Sequence, residues 1–391
     1  MPYLVIVFLA LFSASSQASD LAQWVERLAQ NQPEALRLQA DQAWSQAQKQ
    51  QAQRWFPQGG SLRLAHETDQ MTGDLGIQNW EFGVGFSLWA WGQRQAQQDL
   101  AQFSQQSAQL SEVLLKLDMA DVLRETAWQV RRAELELDMA QQEHRVWQQL
   151  LQGVTQSVRA GEKPALDQKL AEQAQLKSEA SLAQAQAQLQ QARALLQSWG
   201  VDSDIKDLQE APSQADWQNH PALVWQRNQV QQAQAQRRMA ESEVSGQPSI
   251  ELTAKQEQDD QTQANNALVL ALSLPFGEGN RLAVAERLQQ QTEQQVALAK
   301  LQRQIHQAWL QADSALKLAQ QQDRLAQQQA DLSAQTLVMA RQAYQSGETN
   351  LTDLLRVQQQ SLFDQRQAAL SRLEVHYRIA RFNQVLGVLP Q

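Results

Sequence analysis

Tyr344 to Leu362 reads YQSGETNLTDLLRVQQQSL, and Val158 to Leu176 reads VRAGEKPALDQKLAEQAQL. Gly161 and Gly347 lie 186 residues apart, and the pairs Glu162 and Glu348, Asp167 and Asp353, and Gln173 and Gln359 keep that offset. Shared Ala/Gln/Leu composition would make any two helices look alike, but it would not hold Gly, Glu and Asp in one common register. The chain is read as one design written twice. In each copy a helical run breaks at glycine, turn residues follow, and an aspartate opens a second run free of Gly and Pro for more than thirty residues. That pattern predicts a helix-turn-helix tip.

Outward from the tips lie the long arms. No Gly or Pro interrupts Gln93 to Gln152 or Asn280 to Ser346, and at ~1.5 Å per residue each run would reach roughly 90 to 100 Å. Long helices are expected over 92–158 and 280–346, with return helices over 164–199 and 350–386 covering only part of that length. A lone amphipathic helix this long cannot bury its apolar stripe in a small globule, so it must be a barrel stave or a coiled-coil arm. Ala beside Leu lets helix backbones approach, and abundant Gln gives uncharged polar faces that water can cover. Both return helices stop at glycine, Gly200 and Gly387, and residues 201–215 link the copies.

Upstream of each arm the period changes from 3.6 to 2. Asn31-Gln32-Pro33 opens a helix to about Phe56, and Asn219-His220-Pro221 opens its echo to about Ser245. Hairpins follow at 61–88 and 249–274, with polar loops at Asp69 to Gly76 and Gln256 to Asn266. In Asn79 to Leu88 the even positions are Trp80, Phe82, Val84, Phe86 and Leu88, and the odd ones are polar or glycine. In Ala267 to Leu274 every even position is Leu.

A soluble hairpin with one face on a core gives the same alternation. A strand of ~9 residues also matches a tilted bilayer crossing, and Trp80, Trp89 and Trp91 bracket the first return strand as an interfacial girdle would, with Phe276 in that role in the second copy. The membrane reading is preferred. Four strands cannot close a barrel, for which ~8 are needed, and open edges are not tolerated in lipid. A spanning chain must therefore oligomerise.

Leu4 to Phe12 is an unbroken apolar run too short to span a bilayer, and small residues at Ser16 and Ala18 follow it. Residues 1–18 are expected to be a cleaved signal peptide, although the n-region Met1-Pro2-Tyr3 carries only the α-amino charge. No Cys is available for a lipid anchor, a disulfide or a thiolate metal site. No later apolar run approaches ~20 residues, so any crossing must use strands. The net charge is −9 with basic residues scattered among acids, which argues against nucleic acid as a partner. The five histidines show no ligand spacing, and neither a phosphate loop nor a nucleophile elbow occurs, so the chain is not read as an enzyme and no cofactor or metal site is expected.

The duplicated order of helix, hairpin, very long helix, tip and return helix, over 19–200 and 216–387, resembles the TolC-type outer membrane factors. Asn266 to Pro275, Tyr344 to Leu355 and Phe382 to Gly387 are similar to that family's final strand, tip and C-terminal helix end. The resemblance implies a mainly α protein with a small β part. Its long-helix hairpins would form a homotrimeric α-barrel in the periplasm, and four strands per chain would join a twelve-stranded barrel in outer-membrane lipid. A periplasmic adaptor and an inner-membrane pump of the resistance-nodulation-division type would dock at the tips. The phrase Leu272-Ser273-Leu274-Pro275-Phe276 and the short C-terminus are more similar to the branch serving heavy-metal pumps than to the drug-efflux branch.

The resemblance also assigns roles at the tip. Asp353 matches a carboxylate of the family's periplasmic constriction, where three copies would repel and favour a proton or a cation. Tyr344 and Asp167 match residues that tie the tip helices shut. Thr349 replaces a basic tether, and Arg356 stands where a second acidic ring is found, so Asp353 and Arg356 would pair instead. Gly161, Glu162, Gly347 and Glu348 would form the adaptor-contacting surface. Asp353 and Asp167 read equally well as helix-start residues serving exposed N–H groups. Drug or polypeptide cargo remains open, as do a periplasmic adaptor, which would need a lipoyl-like β-domain, and a soluble coiled-coil scaffold with a β cap.

Overall fold

In the computed structural model of the chain, the described residues are 20–390 without 70, 72, 74, 75, 202–204, 206, 207, 244, 245, 259–263, 278 and 279. The expected signal peptide lies outside them. The elements run α1 (Asp20–Asn31), α2 (Glu34–Gln53), β1 (Ser61–Thr68), β2 (Gln78–Ser87), α3 (Gln93–Arg159) and α4 (Ala165–Ser198). After a 3-10 turn (Trp217–Asn219) come α5 (Pro221–Ser242), β3 (Ser249–Gln258), β4 (Asn265–Ser273), α6 (Arg281–Gln345) and α7 (Leu351–Val385).

The long helices hold 67 and 65 residues and the return helices 34 and 35, within one residue of the expected bounds at every end. Four local readings change. Helix α1 was not anticipated; Leu21, Val25 and Leu28, spaced i, i+4, i+7, put one face into the core. Helix α2 stops short of Phe56 because Arg54 is already extended, at ψ 145°, ahead of Pro57. Helix α5 ends at Ser242 rather than near Ser245. The second loop is shorter than Gln256 to Asn266, because β3 carries its alternation on through Gln256, Glu257 and Gln258.

The strands form one antiparallel sheet in the order β1-β2-β3-β4, so the two hairpins join through β2 and β3. Register fixes which side chains share a face. Leu64, Phe82, Ala254 and Leu268 form one row, Leu62, Val84, Leu252 and Leu270 the next, and Phe86, Ile250 and Leu272 a third. His66, Trp80, Gln256 and Asn266 close that apolar band at its loop end. The opposite face holds Arg63, Glu81, Glu251, Thr253, Lys255 and Glu257.

The chain divides into two compact units. One comprises Met1–Gln32, Lys116–Ala215 and Trp309–Gln391, and the other Pro33–Leu115 and Asp216–Ala308. Both draw on both copies. In the first unit the core is pinned by Arg124, whose side chain is 0% exposed. Its guanidinium donates to both Glu210 oxygens (2.8 and 2.6 Å), to Gln384 Oε1 and to the Val388 carbonyl. Asn383 donates to Glu210 and to the Ala211 carbonyl, so α3, the linker and the end of α7 meet at one satisfied ionic centre.

Nearby, Tyr377 donates to Glu125 at 2.6 Å. Burial and then that bond hold the Tyr377 phenol up at about 12. Its folded value lies above the unfolded one, so its contribution is full below about pH 10 and is lost as pH rises towards 12.

Breaking the ionic centre leaves a buried carboxylate without its partner. Arg124→Met is expected to cost about 3–5 kcal/mol in equilibrium unfolding, and adding Glu210→Gln to restore part of it.

Candidate functional site: a two-turn tip and a two-faced sheet

The tips are built by backbone geometry that each glycine permits. At the end of α3, Gly161 (φ +78°) lets its own N–H reach the Val158 carbonyl and the Glu162 N–H reach Ser157 (2.9 Å). At the end of α6, Gly347 (φ +81°) does the same with Tyr344, and Glu348 N–H reaches Ala343 (2.8 Å). These are paired Schellman caps, an arrangement that costs an L residue the left-handed penalty. Glu162 and Glu348 both stand exposed at the turns.

Neither aspartate opens its helix. Asn350 caps α7, its side chain accepting from Asp353 N–H at 2.9 Å, and Asp353 follows in the first turn. Asp167 is the third residue of α4, after Pro164, which makes no side-chain cap. Both carboxylates thus lie near helix N-termini, where the dipole favours them. The Arg356 guanidinium comes within 3.9 Å of Asp353, but the two side chains are 79% and 53% exposed, so within one chain the pair is worth no more than ~1 kcal/mol.

Tyr344 belongs to a different group of residues. It packs against the cluster of Val154, Ala171, Leu337, Leu351 and Leu354, which joins α3, α4, α6 and α7. Burial, and after it the charge of Asp167, push its phenol above the ordinary range. Lys163, from the other turn, sets its Nζ 4.5 Å from the Tyr344 ring centroid. Thr349 Oγ1 is buried and has no hydrogen-bond partner among the described residues. The structure thus brings Tyr344 and Asp167 together, and separately Asp353 and Arg356. The reading from sequence missed Lys163, since a lysine in a polar turn signals nothing until the opposite turn is placed beside it.

In the sheet, most of the apolar band lies open, with Leu62, Leu64, Phe82, Leu268, Leu270 and Leu272 all exposed, while Phe86 at its helix end stacks on Phe56, 4.6 Å between centroids. Such a contiguous patch needs a partner or a lipid phase. On the polar face Arg63 lies between Glu81 (3.6 Å) and Glu251 (3.8 Å), and Lys255 pairs with Glu81 (3.7 Å) and Glu257. Five side chains of alternating sign therefore run across three strands. Gly83 makes room for them: a Cβ there would stand 2.7 Å from Thr253 Oγ1 and 3.1 Å from Glu251 Oε1.

The aromatic residues expected at the rims fall at both ends of the band. Trp80 stacks on His66 at the loop end, 4.0 Å between centroids. At the helix end Trp91 is 100% and Phe276 96% exposed, while Trp89 is half-buried and donates its indole N–H to the Arg54 carbonyl. Trp55, 88% exposed between α2 and β1, was missed because the helix was expected to run on to about Phe56.

No family model matches the sequence, and no curated protein matches it either. Solved structures do match. The outer membrane protein VceC of Vibrio cholerae is 15% identical with a TM-score of 0.71, over 95% of this chain and 97% of its own. CusC, a protein studied for folding and transmembrane channel formation, is 15% identical with a TM-score of 0.68, over 94% and 92%. The CmeC outer membrane channel of Campylobacter jejuni is 13% identical with a TM-score of 0.67, over 94% and 85%. At such identities the likeness is one of fold. The mainly α chain with a small β part expected from the resemblance to TolC-type factors is the chain fold observed, and these scores single out no branch.

The Tyr344 phenol is expected to titrate above the ordinary range in a 13C-tyrosine NMR titration. Asp167→Asn should bring it part of the way down, because burial, the larger cause, remains.

Proposed function

We propose that the chain is the outer-membrane exit duct of a tripartite efflux system. Three copies would close one twelve-stranded barrel in outer-membrane lipid, and their long helices would form a periplasmic tunnel, conducting cargo passively once an adaptor and an inner-membrane pump are recruited. The observation that carries the reading is the sheet: one face with a broad, largely exposed apolar band, the other charged, and β1 and β4 both left as edges. A soluble β cap would need protein against that apolar face.

The solved structures that share the fold are described as outer membrane proteins or channels, which supports the same location. From Trp80 to Leu88 the strand rises ~27 Å, so a ~40° tilt gives roughly 20 Å of apolar height, in keeping with a thin outer membrane. Among the described residues no helix is long and apolar enough to cross a membrane, so strands would make the crossing.

In this reading the gate lies at the tips. Asp353 with Arg356 forms its exposed part and Tyr344 with Asp167 its packed part, while Gly161, Glu162, Gly347 and Glu348 face the adaptor. Trp55, Trp80, Trp91 and Phe276 form the rims. Heavy-metal cations are the narrower cargo reading, supported by the Leu272 to Phe276 phrase and by polar-face acids that outnumber the bases. A duct needs no tight cation site, since its cargo must leave.

Neighbouring residues of one strand test which face meets lipid. Leu270→Arg is expected to cost ~2–4 kcal/mol of insertion, close to the mid-bilayer value, and to abolish carbonate-resistant trimers. Ala271→Arg, which pairs with Glu251 on the polar face, should leave them intact. Equal tolerance of both would refute the duct.

A further inference from the structure

We infer that Lys163, in the first tip turn, is the residue that fastens the two tips together, by seating its ammonium on the ring face of Tyr344 rather than through the Tyr344 hydroxyl. The inference rests on the reading of the tips as the gate of a duct, and it names the contact that holds that gate shut.

Three observations carry it. The Lys163 Nζ lies 4.5 Å from the Tyr344 ring centroid, well within the ~6 Å over which the ring quadrupole attracts a cation. The ring is itself held in place, packed against the apolar cluster of Val154, Ala171, Leu337, Leu351 and Leu354, so it offers the ammonium a fixed plate. No hydrogen bond joins the Tyr344 hydroxyl to Asp167 among the described residues. The charge of Asp167 bears on Tyr344, raising its phenol after burial does.

The second turn has no cation to offer in exchange. Thr349 stands there with its Oγ1 buried and unpartnered. Of the bases that flank it among the described residues, Arg341 donates to Gln358 at 2.7 Å and Arg356 points to Asp353 on the exposed side. The link between the turns therefore runs from the first copy to the second. Its strength suits a latch that a docking partner releases: one partly exposed cation–π contact shifts an equilibrium about two- to fivefold, and three opening together about 10- to 100-fold.

The test uses the full chain in planar bilayers, with the ratio of open to closed current as readout. Lys163→Met and Tyr344→Leu should each raise that ratio about 10- to 100-fold, and the double variant no further than either alone, as expected when one contact is removed twice. Lys163→Arg and Tyr344→Phe, which keep cation and ring, should hold the ratio well below that of the Met and Leu variants. An unchanged ratio in Lys163→Met overturns the inference, and so does Tyr344→Phe opening as far as Tyr344→Leu, which would move the tie to the hydroxyl.

The contact has a second readout that needs no conduction. With lysines carrying 13C-dimethyl groups, which keep their charge, the Lys163 signal should be shifted upfield by the ring and return to the ordinary position in Tyr344→Leu. Absence of that shift overturns the contact. A chain that inserts but never conducts defeats the duct reading instead, and this signal then decides the contact by itself.

Discussion

A backbone placed in hydrocarbon has no water to satisfy it, and each unpaired N–H or C=O costs several kcal/mol. A four-stranded sheet with β1 and β4 as its edges leaves two rows of such groups open. The apolar band on one face invites lipid, and the open edges forbid it until other strands are supplied. In the proposed duct, closure by further copies would meet both demands. It would also turn the opposite face, with its chain of ion pairs from Glu257 to Glu251, toward water, where charged side chains keep their hydration. Gly83 and Gly85 sit on that polar face, alternating with the large side chains of the apolar band. The alternation of bulk and absence along β2 would thus serve both environments.

The helical parts are held by a different kind of packing. Ala and Leu supply most of the buried side chains, and the glutamines do more than cover surfaces with water. Gln97 and Gln226 are buried, the first bonded to Gln48 at 2.7 Å and the second to Gln294 at 2.9 Å. Gln232 reaches Ser107 at 2.7 Å, and Gln327 reaches the Ala368 carbonyl at 2.8 Å. Each bond contributes about 1 kcal/mol, and it also fixes register between helices whose Ala-rich faces would otherwise slide. Arg124 does the same where the linker and the end of α7 meet α3, with a charge that would be costly to leave unpaired.

Much of this was legible in the residues. The common offset of Gly161 and Gly347, the Gly-free and Pro-free arms and the strict alternation of Asn79 to Leu88 gave the order of elements and the two faces of the sheet. Each is a local signal with a single physical meaning. What was not legible depended on which chain segments meet. Lys163 and Tyr344 are 181 positions apart, and neither residue type signals a contact at that separation. The chain of ion pairs needs the register of β2 against β3. Asn350 as the cap of α7 was overshadowed by Asp353, whose charge drew the reading to it. Helix α1 is only 12 residues long, and its Leu21, Val25 and Leu28 stripe spans two turns, too few for a helical period to stand out.

The claim on which the rest stands is that the sheet's apolar face meets lipid and its polar face meets water. The chain has no cysteine, so single spin labels can be placed at each position of β4 without background. In reconstituted membranes, labels at Leu268, Leu270 and Leu272 should be open to dissolved oxygen and closed to a water-soluble nickel reagent. Labels at Ala267, Val269 and Ala271 should show the reverse. A uniform response along the strand, with every position open to the nickel reagent, would contradict the account.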